Sequence, residues 1–102
     1  MVDESGPVLE VVRIQVDPAQ MTAFEGAIAQ AYSCLEATEG HLGHQLYTCI
    51  EKTGSYLLQI QWTSLDAHLI NFRQSDNYQQ WRSLIGSYFV QPPEVLHYRQ
   101  QS

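Results

Sequence analysis

Two kinds of apolar periodicity alternate along this chain, and their order limits the folds that it can adopt. Residues 56–62 alternate strictly, so that Leu58, Ile60 and Trp62 fall on one face of an extended strand. Residues 21–35 instead carry apolar side chains three and four positions apart, as one face of a helix requires. A pattern that switches between these two periods predicts a mixed α+β domain.

Three further segments alternate in the same way and are predicted to be strands. They are residues 8–16, 44–50 and 94–99. Residues 51–54 end in Gly54 and are typical of a hairpin connection between the second and third strands.

Capping signals precede each predicted helix. Asp17 is a good N-cap, and Pro18 suits the first helical position because no hydrogen bond from its nitrogen is needed there. Ser64 is predicted to cap a second helix that turns Phe72 inward, and Ser75 to cap a third. The predicted order is therefore β-α-β-β-α-α-β.

This order predicts a ferredoxin-like two-layer sandwich, in which an antiparallel sheet carries its helices on one face. The other face of the sheet is then uncovered. It would expose Leu9, Val11, Leu57 and Leu96 to solvent in a monomer. We therefore expect a homodimer in which a second subunit covers this face.

Length and charge limit what the chain can bind. Its 102 residues suit one domain, predicted over residues 8–100 after a flexible segment of residues 1–7. With a net charge of −6 and five scattered basic residues, nucleic acid is not an expected partner. No apolar run is long enough to cross a membrane and no signal peptide is visible, so we expect a cytoplasmic protein without a membrane partner.

The two cysteines, Cys34 and Cys49, lack the spacing of a zinc site, a redox pair or a disulfide framework. We expect both to be small buried apolar side chains. No metal is predicted.

Four histidines are the natural candidates for acid–base chemistry near neutral pH. His41 and His44 are three positions apart near a strand, so their side chains should point to opposite faces and not share a metal. His68 and Asn71 are three apart on the second predicted helix and should share a face that points into a pocket. The alternative is that both only satisfy backbone groups or solvent. His97 fits a pocket wall or a hydrogen bond on the face of the sheet.

Aromatic side chains are abundant at 11% of the residues. Most belong in a core, but a cavity lined by Trp and Tyr with a few polar groups suits a flat aromatic ligand. No phosphate-binding glycine loop, nucleophile elbow or cofactor fingerprint is present, so no nucleotide cofactor is expected.

Several segments form a recognisable set: Trp62-Thr63-Ser64-Leu65-Asp66-Ala67-His68, Phe72-Arg73-Gln74-Ser75, Tyr78-Gln79-Gln80-Trp81-Arg82, the opening strand, the Glu39-Gly40 pair and the closing Val95-Leu96-His97-Tyr98. With these segments the chain resembles the antibiotic biosynthesis monooxygenase family of small dimeric α/β-barrel proteins. The resemblance covers roughly residues 8–99.

The resemblance implies a function. Enzymes of this family oxidise polycyclic phenols or quinols with dioxygen and without a cofactor, because a deprotonated phenol itself passes an electron to oxygen. By this resemblance, His68 would be the base or the hydrogen-bond partner of the phenol, and Asn71 a polar anchor. The expected walls of the substrate cavity are Trp62, Tyr32, Tyr47, Phe72 and His97.

The chain departs from related patterns in two ways. Haem-degrading relatives fit less well, because their first-strand asparagine aligns with Val12 and their iron-binding histidine falls at about Trp81 or Arg82. The segment from Trp62 to Ser75 is one residue longer than the commoner family spacing. The helix register, and with it the orientation of His68, is therefore left open.

Two alternatives to a cofactor-independent monooxygenase of hydroxylated aromatics or quinols remain at this point. One is a non-catalytic dimeric protein that binds a small hydrophobic molecule or serves in stress physiology, because one fold hosts many functions. The other is an isomerase or dehydratase that uses the same base without oxygen.

Overall fold

The structure is a computed structural model that describes residues 6–101. It has a four-stranded antiparallel sheet with helices on one face, which confirms the predicted ferredoxin-like sandwich. Of the predicted flexible segment, residues 1–7, the first five positions lie outside the described residues. No helix within the described part is long and apolar enough to cross a membrane.

The elements follow the predicted order. They are β1 (Val8–Gln15), α1 (Met21–Glu36), β2 (His41–Thr48), β3 (Ser55–Trp62), a π-helical turn (Ala67–Phe72), α2 (Asp76–Ile85) and β4 (Glu94–Tyr98). The strands lie in the order β2-β3-β1-β4, and every neighbouring pair is antiparallel. β1 and β3 are thus the central strands, and β4 is one edge.

The core lies between the helices and one face of this sheet. On that face Val12 and Ile14 of β1 and Leu58 and Ile60 of β3 are buried. The opposite face has no helix over it: Leu9, Val11 and Leu57 are half-buried there, and Leu96 is 45% exposed. The predicted grouping of alternate side chains into two faces is therefore confirmed for β1, β3 and β4, and the structure shows that the face with Leu9, Val11, Leu57 and Leu96 is the uncovered one.

Local chemistry explains where the helices begin. The side chain of Asp17 accepts a hydrogen bond from the backbone N–H of Ala19 at 3.0 Å, which starts a short 3₁₀ turn before α1. The hydroxyl of Ser75 accepts one from the N–H of Tyr78 at 3.2 Å and caps α2. The hydroxyl of Ser64 likewise accepts a hydrogen bond from the N–H of Ala67 at 3.1 Å, so all three predicted caps are confirmed.

The predicted position of β2 is wrong, and the correct position changes the face on which two histidines lie. β2 begins at His41 rather than at residue 44, and a β-bulge lies between His41 and Gly43. A bulge inserts one extra residue and so reverses the alternation of side chains beyond it. His41 and His44 therefore share the helix-covered face, with His41 Nε2 3.0 Å from His44 Nδ1, and not opposite faces as predicted.

The second predicted helix winds partly as a π-helix. The N–H of Arg73 bonds to the carbonyl of His68 at 2.9 Å, five residues back, which is the π-helical pattern. Such a turn takes up one more residue than an α-helical turn, consistent with the extra residue between Trp62 and Ser75. His68 and Asn71, three positions apart in this turn, do not share a face as predicted: His68 is buried, whereas Asn71 is exposed.

One cysteine differs from its predicted environment. Cys34 of α1 is buried as expected, but Cys49 is exposed. The cause is the end of β2 at Thr48, which leaves Cys49 in the connection to β3.

Candidate functional site

A cavity of about 340 Å³ lies between the helix-covered face of the sheet and the segment from the π-helical turn through α2. Pockets for small molecules typically measure roughly 300–1,000 Å³, so the space suits a compact ligand. Ten of its fifteen lining residues are apolar, while polar atoms form about half of the exposed wall. Contributing side chains include Val12, Ile14, Leu58, Ile60, Phe72, Trp81 and Ile85.

The buried part of the cavity wall carries two ionisable groups. Glu10 of β1 is only 5% exposed and His68 of the π-helical turn only 2%. Glu10 is also the one acidic residue among the lining side chains. A buried carboxyl beside a buried imidazole, open to an apolar cavity, is an arrangement able to exchange protons with a ligand.

Short polar contacts hold these groups in place. The indole N–H of Trp62 donates a hydrogen bond to Glu10 Oε1 at 2.9 Å, and His68 Nε2 lies 3.4 Å from the same oxygen. The other nitrogen of His68, Nδ1, is 2.7 Å from His97 Nε2. The His68 ring also stacks on Trp62, with centroids 5.6 Å apart and planes 18° from parallel. Four side chains from β1, β3, the π-helical turn and β4 thus form one cluster.

This environment shifts the ionisation of both groups. Burial raises the pKa of Glu10 from 4.5 to about 7, against the opposing effects of the Trp62 hydrogen bond and the charge of Arg73. Burial lowers the pKa of His68 from 6.5 to about 3, helped by His97 and Arg73. At neutral pH His68 is therefore uncharged, and Glu10 is poised to gain or lose a proton.

Two arginines supply positive charge to the outer part of the cavity. Arg73 and Arg82 both line it and both are exposed to solvent. They are two of only five basic residues in a chain of net charge −6. Within residues 6–101 neither forms an ion pair with a carboxylate. Their charge therefore favours an anionic group on a ligand in the cavity.

Four of the predicted site residues lie together. His68 and Phe72 line the cavity, and Trp62 and His97 contact His68 without lining the cavity themselves. Phe72 also packs against Trp62, with ring centroids 5.6 Å apart.

Three other predicted site residues lie elsewhere. Asn71 is exposed and donates its side-chain N–H to the backbone oxygen of Glu39 at 3.0 Å, so it ties the π-helical turn to the loop before β2. Tyr32 stacks on His44, with centroids 4.1 Å apart, outside the cavity lining. Tyr47 is 49% exposed on the uncovered face of the sheet, since it pairs with Leu57.

The sequence interpretation missed Glu10 and both arginines. A signal for Glu10 was present, because it is the one charged residue on the apolar face of β1 that includes Val12 and Ile14. The arginines had no comparable signal, since exposed cations on a helix are common. Among the described residues no three metal-binding side chains converge.

The chain is similar to known proteins in both sequence and structure. The family model of the antibiotic biosynthesis monooxygenases matches residues 7–84. The uncharacterized protein YczJ of Bacillus subtilis is 32% identical over 92 residues, which cover 90% of this chain and 97% of that protein. A candidate antibiotic biosynthesis monooxygenase from Bordetella bronchiseptica is 35% identical, with a TM-score of 0.89 over 94% of this chain and 98% of the other.

A more distant structure has the same fold. SnoaB of Streptomyces nogalater, a cofactor-independent oxygenase, is 21% identical, with a TM-score of 0.74 over 95% of this chain and 97% of that one. At this identity the similarity concerns the fold alone.

Proposed function

Because the chain belongs to the antibiotic biosynthesis monooxygenase family, we propose that it is a cofactor-independent monooxygenase that oxidises a hydroxylated aromatic molecule or quinol with dioxygen. The observation that carries this proposal is the cavity between sheet and helices, with the Glu10–His68 pair in its buried wall. The oxygenase activity of SnoaB, which shares the fold, supports the same reaction class.

The cavity supplies what such a reaction needs from a protein. The apolar side chains of the wall can hold a flat ring system in one orientation, which raises the effective concentration of the reacting groups. A base in the buried wall removes the hydroxyl proton, and the positive charge of Arg73 and Arg82 stabilises the resulting anion. The electrons come from the substrate. For an anthrone, the substrate loses two hydrogens, gains one oxygen atom and releases the other as water.

In this proposal His68 belongs to the basic group, and Trp62, Phe72 and His97 support it. Asn71, Tyr32 and Tyr47 remain predictions as site residues. Their positions outside the cavity lining predict smaller effects on turnover than that of His68.

A homodimer is part of the proposal. On the uncovered face of the sheet Leu42, Tyr47, Leu96 and Tyr98 are between 45% and 60% exposed. A second copy of the chain would remove this apolar surface from water. Sedimentation should give a dimer at micromolar concentration, and a clean monomer would contradict this part of the proposal.

Oxygen uptake with a panel of quinols and anthrones tests the function. We expect consumption above the protein-free blank, and a loss of at least roughly tenfold in His68→Ala. Asn71→Ala is the matched control from the same turn, and we expect it to keep most of the activity. No uptake with any substrate would contradict the proposal.

A ligand-binding protein without turnover is the second candidate. It is favoured by one observation: both nitrogens of His68 already face protein groups, as in a structural histidine. Quenching of tryptophan fluorescence by a quinol, without oxygen uptake, would support binding alone. Turnover that persists without oxygen would indicate an isomerase or dehydratase.

A further inference from the structure

Glu10 presents the one cavity-facing oxygen of the cluster that no protein group occupies. Its Oε1 is held by Trp62 and lies 3.4 Å from His68. Its Oε2 has no hydrogen-bond partner among the described residues, and none of their fully buried polar side-chain atoms lacks a partner. Oε2 must therefore touch open space. Since Glu10 lines the cavity, that space is the cavity.

His68 is less available to a ligand. Its Nδ1 is 2.7 Å from His97 Nε2, and its Nε2 faces Glu10. A hydroxyl entering the cavity thus meets the carboxyl oxygen first. The 3.4 Å contact between Glu10 Oε1 and His68 Nε2 is longer than a well-formed hydrogen bond.

The three side chains form a continuous path for a proton. Glu10 of β1 and His97 of β4 are directly opposite each other in the sheet, and His68 bridges them from the π-helical turn. His97 is half-buried, and its Nδ1 has no hydrogen-bond partner within residues 6–101. That nitrogen can exchange a proton with solvent, so the path leads from the cavity to the outside.

The path can move one proton without leaving a charge on either imidazole. When a proton binds His97 Nδ1, the proton on His97 Nε2 moves to His68 Nδ1, and the proton on His68 Nε2 moves to Glu10. Three N–H or O–H bonds form and two N–H bonds break, which accounts for the one proton taken from solvent. The proton from His68 arrives at Oε1, the oxygen that faces it. A proton taken up by Oε2 leaves by the reverse path once the carboxyl group turns about its Cγ–Cδ bond and brings that oxygen to His68 Nε2.

We propose that Glu10 is the group that takes the proton of the ligand hydroxyl, through Oε2, and that His68 and His97 form a relay that sets the protonation state of Glu10 from solvent. In the first step the ligand O–H bond breaks, the Glu10 Oε2–H bond forms, and the ligand anion stays in the cavity. This step rests on the monooxygenase function proposed above, whereas the relay does not.

Other charged and titratable groups face the cluster. They are Arg73 from the π-helical turn and Tyr78 and Arg82 from α2, all in the cavity wall. Burial and the charge of Arg73 lower the pKa of His97, so this ring is also uncharged near neutral pH. Uncharged rings are what the tautomer exchange requires.

Nitrogen NMR of the ligand-free protein tests the relay. In the wild type we expect the rings of His68 and His97 to change from the Nε2–H to the Nδ1–H tautomer on acidification. Both changes should occur in one transition, at the pH where the ¹³C chemical shift of the Glu10 carboxyl group reports its protonation. In Glu10→Gln, which keeps the acceptor for Trp62, this transition should be absent. Glu39→Gln, an exposed carboxyl, should leave it unchanged. Tautomers that stay fixed while Glu10 titrates would overturn the relay.

Kinetics then test the role of Glu10. With a substrate found by oxygen uptake, Glu10→Gln should lower kcat about 10²-fold or more with KM within a few-fold. His97→Asn should lower turnover less, with partial rescue by added imidazole. A Glu10→Gln enzyme within twofold of the wild type, with His68→Ala inactive, would overturn the assignment to Glu10. A coupled tautomer transition in a protein that oxidises nothing would contradict the proposed function but not the relay.

Discussion

Replacing Glu10 by glutamine should change how the stability of the protein depends on pH. Burial raises the pKa of Glu10 from 4.5 to about 7, so the folded state holds this proton more tightly than the unfolded chain does. The stabilisation is therefore complete below pH 4.5 and is lost as the pH rises through 7. Glutamine has no charge to bury and keeps an acceptor for the indole N–H of Trp62.

The size of this effect follows from the shift. A change of the pKa from 4.5 to about 7, at about 1.4 kcal/mol for each tenfold change in proton affinity, corresponds to about 3–4 kcal/mol. Relative to the wild type, Glu10→Gln should therefore gain about 3–4 kcal/mol of unfolding free energy between pH 4 and pH 8. Nearly all of the gain should occur between pH 4.5 and 7.

His68 contributes in the opposite direction, which decides how the measurement is made. Because burial lowers its pKa from 6.5 to about 3, its contribution is complete above pH 6.5 and is lost as the pH falls through 3. Between pH 4.5 and 6.5 the two effects largely cancel in the wild type. The difference in unfolding free energy between Glu10→Gln and the wild type therefore reports the contribution of Glu10.

Urea denaturation at half-unit pH steps, followed by far-UV circular dichroism, measures this difference. Glu39→Gln serves as the control, since exposed substitutions change stability by less than about 0.5 kcal/mol. A difference between Glu10→Gln and the wild type that stays constant from pH 4 to 8 would refute the reasoning. It would mean that the Glu10 carboxylate is not buried at a cost in the folded protein.

Three further predictions concern other parts of the molecule. Trp62→Phe removes the hydrogen-bond donor to the Glu10 carboxylate, so thermal denaturation should show a loss of about 1–3 kcal/mol more at pH 8 than at pH 5; an equal loss at both would contradict it. Gly54→Ala should destabilise the protein by at least about 1 kcal/mol in urea, because φ is +87° there and a Cβ would collide with the carbonyl oxygen of Val16. Leu96→Asp should shift the protein from dimer to monomer in sedimentation while its far-UV spectrum is kept; an unchanged dimer would place the interface elsewhere.

Most of the fold could be predicted from the sequence because its periodicities are regular. Strict alternation in β1 and β3 grouped the side chains into two faces, and the caps Asp17 and Ser75 marked the helix starts. The bulge in β2 could not be predicted in this way. It depends on which residue of β3 pairs with His41, and that is settled by sheet contacts distant in sequence.

The candidate site was only partly predictable, for a related reason. His68 stood out by residue type, but its neighbours depend on the winding of the π-helical turn, which turns Asn71 outward. Glu10 and His97 meet because β1 and β4, at opposite ends of the chain, pair in one register. A single sequence contains the residues of this cluster but not the pairing that brings them together.

The most direct test of the central claim is the incorporation of labelled dioxygen into an anthrone by the purified protein without added cofactor. We expect one atom of ¹⁸O in the product, formed faster than in a protein-free blank, and a rate at least about 10²-fold lower in Glu10→Gln. Product formation by the wild type no faster than in the blank, across the substrate panel, would contradict it.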